Sequence, residues 1–263
     1  MSKKLIASAI FGLGLAASGS ASATLIGGVD FGPGLTHLET TTLAETFVNG
    51  TTAATGQTLQ GYGQINTVNG NLIYAGADRL YFTFTYDVLS FSPTSALFDN
   101  GVVNVYRLPT FNLLGQSSAA DMTLIQGGTP WATFSGHGMN GTPIELNSAG
   151  LLTGNTLTFT GSGLLDVTGG LADVVAHLDT NTINDGTATG FADIAITTSG
   201  NNAVLNPFDS HTGCRDGTAA AGTWCLQGSA DMRGAVIPEP GSLALVGLGI
   251  LGVAGLRRRR EVK

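Results

Sequence analysis

The clearest alternation of apolar and polar positions in the chain is LYFTFTYDVLSF, residues 80–91. Leu80, Phe82, Phe84 and Tyr86 fall on one side and Tyr81, Thr83 and Thr85 on the other, the two-residue period of a half-buried strand. The outer row is β-favouring but polar, which predicts an antiparallel sheet with one wetter face. DNGVVNVYRL follows at residues 99–108, where Asp99-Asn100-Gly101 predicts a turn and Val103, Val105 and Arg107 alternate after it. Shorter strands are expected at 71–74, 121–125 and 131–134. Further on, NTLTFTGSG places Leu157 and Phe159 together, LADVVAHLD continues the series, and FADIAITTSG pairs Ile194 with Ile196. Gly127-Gly128, Gly169-Gly170 and Asp185-Gly186 punctuate the chain as turns. Between the termini only LTHLETTTLAETFV, residues 35–48, predicts a helix, and its threonine run weakens the propensity. Short strands with Gly, Asn and Asp between them predict a mainly β body, an antiparallel β-sandwich or jelly-roll-like domain. Residues 200–237 are poorer in strand pattern and predict a peripheral flap.

The two ends follow other patterns. MSKKLIASAIFGLGLAASGSASA opens with Lys3 and Lys4, continues as an apolar run from Leu5 to Ala17, and closes on Ala21-Ser22-Ala23. This is the order of a secretory signal peptide with an A-x-A cleavage site, and it places residues 1–23 outside the mature fold. At the other end, Gly241 to Leu256 is apolar apart from Ser242 and is followed by Arg257, Arg258, Arg259 and Arg260. At about 1.5 Å per residue such a helix reaches roughly 24 Å, short of the ~30 Å hydrocarbon core but able to span with local thinning. The arginines would remain cytoplasmic and set its orientation. Pro238 and Pro240 oppose a helix just before it, so Pro238-Glu239-Pro240 stays extended. The implied organisation is a signal peptide at 1–23, a β-rich extracellular domain at 24–231, a tether at 232–237, and a C-terminal signal at 238–263 with a transmembrane segment at 241–256.

In composition and order, this tail closely resembles the PEP-CTERM sorting signal of Gram-negative bacteria. That resemblance implies recognition by an exosortase, an inner-membrane protease-transpeptidase, after signal peptidase has removed the front. It also implies a precursor held transiently in the inner membrane, and a mature form at the cell surface or in the extracellular matrix. Its carriers are associated with exopolysaccharide, biofilm or floc.

With both signals removed, the body keeps Arg79, Arg107, Arg215 and Arg233 and no lysine. Against seventeen Asp and Glu, these four leave a formal charge near −13, compared with −7 for the whole chain. Such a surface repels nucleic acid and attracts divalent cations or basic partners. Cys214 and Cys225 are the only cysteines. In an oxidising compartment they are expected to form a disulfide, worth roughly 3 kcal/mol on chain-entropy grounds.

Catalytic patterns are sparse. Gly-x-Ser-x-Gly, H-E-x-x-H and a P-loop do not occur. His37, His137, His177 and His211 lie far apart in sequence, and a cluster of them in space would be needed to argue for an enzyme. Glu145 and Asp166 are one of many carboxylate pairs that could do glycosidase-type acid–base chemistry. The reading from the residues is therefore a non-enzymatic protein with no required cofactor. LDTNTINDGTATGFAD brings Asp179, Asn181, Asp185 and Asp193 together in sequence, either as oxygen ligands for calcium or as an Asx-rich hairpin turn; Ile183 breaks the EF-hand register. Tyr62, Tyr74, Tyr81, Trp131 and Trp224 would make a sugar-stacking platform if exposed together.

The phrases GLADVVAHLDTNTINDGTATGFADIAITTSG and YFTFTYDVLSF also resemble, in texture, flocculation-associated surface proteins with the same kind of tail. This resemblance implies adhesion between cells or polymer and identifies no liganding residue. The alternatives to a matrix protein are a secreted carbohydrate- or calcium-binding adhesion module and an unrecognised secreted hydrolase.

Overall fold

The computed structural model describes residues 25–32, 36–48, 54–153, 156–202, 208, 224 and 226–235. Both terminal signals lie outside the described residues, as do Cys214, Cys225 and His211. The first described residues form a short ribbon, β1 (Leu25–Ile26) with β2 (Val29–Asp30). Then come β3 (Thr36–Phe47), β4 (Thr58–Gln64), a short β5 (Thr67–Val68) against β3, β6 (Asp78–Ser92) and β7 (Ser95–Pro109). Helix α1 (Ser118–Gln126) leads to β8 (Thr129–His137), β9 (Leu146–Thr153) and β10 (Thr156–Gly170). Helix α2 (Ala172–Leu178), the ribbon β11 (Ile183–Asn184) with β12 (Phe191–Ala192), β13 (Ile194–Asn201) and β14 (Leu226–Gly234) complete the order.

The expected β content and antiparallel pairing are present, but the sheet closes on itself instead of stacking as two layers. Strands β3, β4, β6, β7, β8, β10, β13 and β14 each lie beside the next in chain order, and β14 pairs back onto β3. The result is an eight-stranded antiparallel barrel. Its physical advantage over a sandwich is the absence of free edges. One stave is divided: the lower half of β7 and of β10 pairs with β8, the upper half of each pairs with β9, and residues 138–145 loop out between the two.

Several local expectations change. Residues 36–47 are strand: Leu38, Thr40, Leu43 and Glu45 are all buried, and a register shift against β14 near Thr41 and Thr42 breaks the simple alternation. That shift spaces the apolar residues in a way that imitates a helix. Asp121–Ile125 lies within α1, and LADVVAHLD is α2 with its caps Leu171 and Asp179, where Val174 and Leu178 bury one helical turn apart. Asn71–Tyr74 is turn instead: Asn71 N–H closes the preceding turn onto the Val68 carbonyl at 2.9 Å, and the Asn71 side-chain oxygen accepts Ile73 N–H at 2.8 Å. Asp99-Asn100-Gly101 is a bulge inside β7, with Asn100 at φ 50°, so the residues that suit a turn serve a bulge that also needs positive φ. The flap expected at 200–237 contains β14, the strand that closes the barrel and runs to Gly234, three residues into the expected tether.

Two apolar clusters result. The main one fills the base of the barrel with Leu38, Ile65, Leu80, Val105, Trp131 and Leu165. The smaller one lies outside the wall, where Ile125 of α1 and Trp224 cover Ala44, Tyr62 and Tyr81. That cover is why the outer row of β6 is only partly wet: Tyr81 and Thr83 are buried and Thr85 is exposed.

Candidate functional site

The inward rows of the barrel combine large aromatic side chains with glycines on neighbouring strands. Phe84 pairs with Gly61 and Phe82 with Gly63 across β4–β6, and Phe159 pairs with Gly200 across β10–β13. A methyl group at Gly61 would meet the Phe84 ring at 2.3 Å, and one at Gly200 would meet the Phe159 ring at 2.4 Å. The rings therefore lie against bare backbone at the wall, and the axis above the base is left hollow. The space open to the centre of a water molecule is about 90 Å³, several times the about 10–15 Å³ that one water needs. An eight-stranded barrel has an interior that side chains just fill or that holds one small ligand.

The two ends of the barrel differ. At the base, Phe31 stacks on Trp131 with centroids 6.1 Å apart and tilts against His177 at 4.7 Å. The segment bearing Phe31 is tied down by Gly27 N–H to Asp173 Oδ2 at 2.7 Å and by Arg107 Nη1 to the Gly27 carbonyl at 2.7 Å. Tyr74 closes the same end, donating to the Ile65 carbonyl at 2.6 Å and accepting from Leu80 N–H at 2.9 Å. At the opposite end the lining continues to Phe47, Phe91, Pro93 and Leu157, which are partly or fully exposed. That end is the mouth.

Two polar groups on this apolar lining lack partners. Glu45 on β3 is 5 % exposed, and its Oε2 accepts no hydrogen bond. The Tyr86 hydroxyl on β6 is likewise buried and unpartnered. Burial alone pushes the Glu45 carboxyl up to about 8. Burial, reinforced by the negative charge of Glu145, also pushes the Tyr86 phenol upward. More than nine in ten buried polar groups in folded proteins find partners, so two unmet groups beside one hollow are a marked local departure.

The sequence-derived residues lie elsewhere. His137 Nδ1 meets Asp166 Oδ2 at 2.7 Å and its Nε2 meets Asp185 Oδ2 at 3.3 Å, so one imidazole joins β8, β10 and the loop before β12. Burial by itself would lower the His137 pKa; the hydrogen bonds and charges of the two aspartates outweigh it, and the net displacement is upward. Glu145 is near enough for Asp166 to act on its charge. Its carboxyl is pushed up by burial first, against the Gly101 N–H that it accepts at 2.6 Å, with Asp99 and Asp166 adding to the rise. His37 pairs with Asp231 across β3–β14, and His177 meets Thr36 at the base. The three described histidines thus have separate partners.

Of the calcium candidates, Asp193 is buried and accepts Val167 N–H at 2.8 Å on one oxygen and Thr180 and Asn181 N–H at 2.7 Å on the other. Asp185 accepts from Thr187 and meets His137, while Asp179 accepts from Asn181 Nδ2 at 2.6 Å. These are the contacts of a braced polar loop. Among the described residues no three His, Cys, Asp or Glu side chains form a group able to hold a metal ion. Tyr62, Tyr74, Tyr81, Trp131 and Trp224 are all buried, so they form no exposed platform for sugar. Ala21, Ala23, Pro238, Glu239, Pro240 and Arg257–Arg260 lie outside the described residues.

Glu45 was not among the residues singled out from sequence, and only strand parity could have found it. Once 36–47 is extended, Glu45 shares a row with Leu43 and Phe47 and must point where they point. Comparison with known proteins locates one feature, in the tail: residues 236–260 match the PEP-CTERM protein-sorting motif. No curated protein and no solved structure matches the chain.

Proposed function

We propose that this chain is a non-enzymatic surface or matrix protein, exported behind its N-terminal signal, sorted through its C-terminal one, and associated outside the cell with exopolysaccharide in biofilm or floc. The PEP-CTERM motif at residues 236–260 is the observation that carries the reading, and it supports a sorted, exported surface protein in general. The finer steps fit the sequence on either side of it. Ala21-Ser22-Ala23 suits signal peptidase, and the apolar 241–256 segment with Arg257–Arg260 suits a temporary inner-membrane anchor presented to an exosortase-type enzyme. The lysine-free acidic body suits an extracellular polymer setting, where divalent cations can bridge it to anionic polysaccharide. The residues between the signals then act by binding. Burial of all five ring candidates moves any such role away from aromatic sugar stacking on the surface.

Intact mass spectrometry of the secreted form tests the sorting route. A mature protein beginning near Thr24 and ending between about 237 and 241 is the expected result. A secreted mass that still includes Arg257–Arg260 would remove the reason for assigning that route.

A further inference from the structure

We propose that the hollow of the barrel is a binding site for a small apolar amine, its hydrocarbon part lying among the inward aromatic and aliphatic side chains and its ammonium group at Glu45. This goes beyond the sorting reading and does not depend on it. Protein interiors are packed with few voids larger than a water molecule, and this one is larger, apolar, closed at the base and reached from the mouth. The glycines at positions 61, 63 and 200 are part of how it stays open, because each lets a ring lie flat on the wall.

The head group follows from the polar chemistry inside. Among the described residues Glu45 is the only carboxyl that lines the hollow, and no described lysine, arginine or histidine lines it. Tyr86 is the other titratable lining residue, and its hydroxyl is also unpartnered. A buried carboxylate is tolerated when it is paired and hydrogen-bonded. The described lining residues supply no cation, so an ionised Glu45 takes its partner from the ligand. An acid-headed ligand would bring two carboxyl groups together in an apolar space. An alcohol would offer a neutral hydrogen bond to the protonated carboxyl but gain nothing from its ionisation. A primary ammonium answers both requirements, and the acidic body as a whole attracts cations.

The proton balance gives a signature. In the empty barrel burial keeps Glu45 protonated at neutral pH. The ligand arrives as ammonium, the Glu45 proton leaves to solvent, and an ion pair remains. Amine affinity should therefore rise about tenfold per pH unit until Glu45 ionises unaided near 8, while alcohol affinity stays flat over the same range.

The experiment is displacement of the neutral fluorophore N-phenyl-1-naphthylamine from the full chain by octylamine, octanol and octanoate. At about pH 8, octylamine should displace the probe at a concentration at least tenfold lower than either of the others. Glu45→Gln should abolish that preference while keeping probe binding, and Ala96→Phe, which fills the hollow, should end probe binding with the strand circular dichroism unchanged. If Ala96→Phe does not fold, Ala230→Phe makes the same test on another stave. Equal displacement by the three head groups, or an amine preference that survives Glu45→Gln, would overturn the amine assignment. No probe binding to the unmodified chain, or binding indifferent to a folded filling variant, would overturn the site itself. All variants carry the same apolar tail, so binding to the tail cancels between them.

Discussion

A carboxyl with no partner inside an apolar barrel links one residue to the stability of the whole. The unfolded Glu45 titrates near 4.5 and the folded one near 8, so between those values the folded chain holds the extra proton. By linkage, stability then falls as pH rises through that window, by roughly 1.4 kcal/mol per unit, and is flat below and above it. Glu45→Gln removes this slope. In urea unfolding the variant should match the parent near pH 4.5 and exceed it by roughly 2–4 kcal/mol near pH 8. The difference between the two proteins isolates Glu45 from His137, whose raised pKa also withdraws stability as pH climbs. Parallel pH profiles would mean that the carboxyl is solvated in the native state. The glycine–aromatic pairing can be tested at the same scale. Gly61→Ala sets a methyl group 2.3 Å from the Phe84 ring, an overpacking expected to lose about 1–3 kcal/mol. Phe84→Leu in the same chain should return part of it, with a coupling of about 1 kcal/mol in a double-mutant cycle. Strict additivity would show that the two positions do not compete for space.

Among the elements, the loop from α2 to β13 is held by Asp193, whose two oxygens take three backbone N–H groups from Val167, Thr180 and Asn181. Asp193→Ala leaves the buried Val167 N–H and the two part-buried N–H groups of Thr180 and Asn181 without that acceptor. It should lose roughly 3 kcal/mol or more, whereas Asp179→Ala, in an exposed pair, should stay within about 0.5 kcal/mol. Equal costs by thermal unfolding would mean that Asp193 does not brace the loop. The same elements mark what could be read in the chain. In β6 and β13 the inward residues, Leu80 to Tyr86 and Ile194 with Ile196, stand out because large apolar side chains repeat every second position without interruption. In β3 a bulge interrupts the period. In β14 the inward row is Leu226, Gly228, Ala230 and Met232, too small on average to signal a buried face. The short helices carry Val-Val and Thr-Leu-Ile, which favour strands until tertiary packing decides. The hollow was the least legible feature, because Glu45 announces itself as surface in every local pattern and becomes interior only through the parity of its strand.

For the molecule as a whole, closure rests on pairing its first long strand with its last. β14 fills the gap between β13 and β3, and without it both would present unpaired edges and the hollow would lose a wall. The strand runs from Leu226, opposite Glu45 near the mouth, to Gly234, opposite Thr36 at the base. The chain therefore leaves the barrel at its closed end, and the sorting motif begins at 236, two residues after the last stave. Removal of the tail should then leave the fold and the mouth untouched. A chain ended after residue 235 should keep the strand spectrum, the unfolding midpoint within about 0.5 kcal/mol, and probe binding in the hollow. A chain ended after residue 225, only ten residues shorter, should lose cooperative unfolding and bind the probe weakly and without dependence on Glu45. Equal stability of the two would mean that β14 is an accessory and that seven staves suffice. Loss of stability in the longer one would mean that the sorting segment belongs to the fold it delivers.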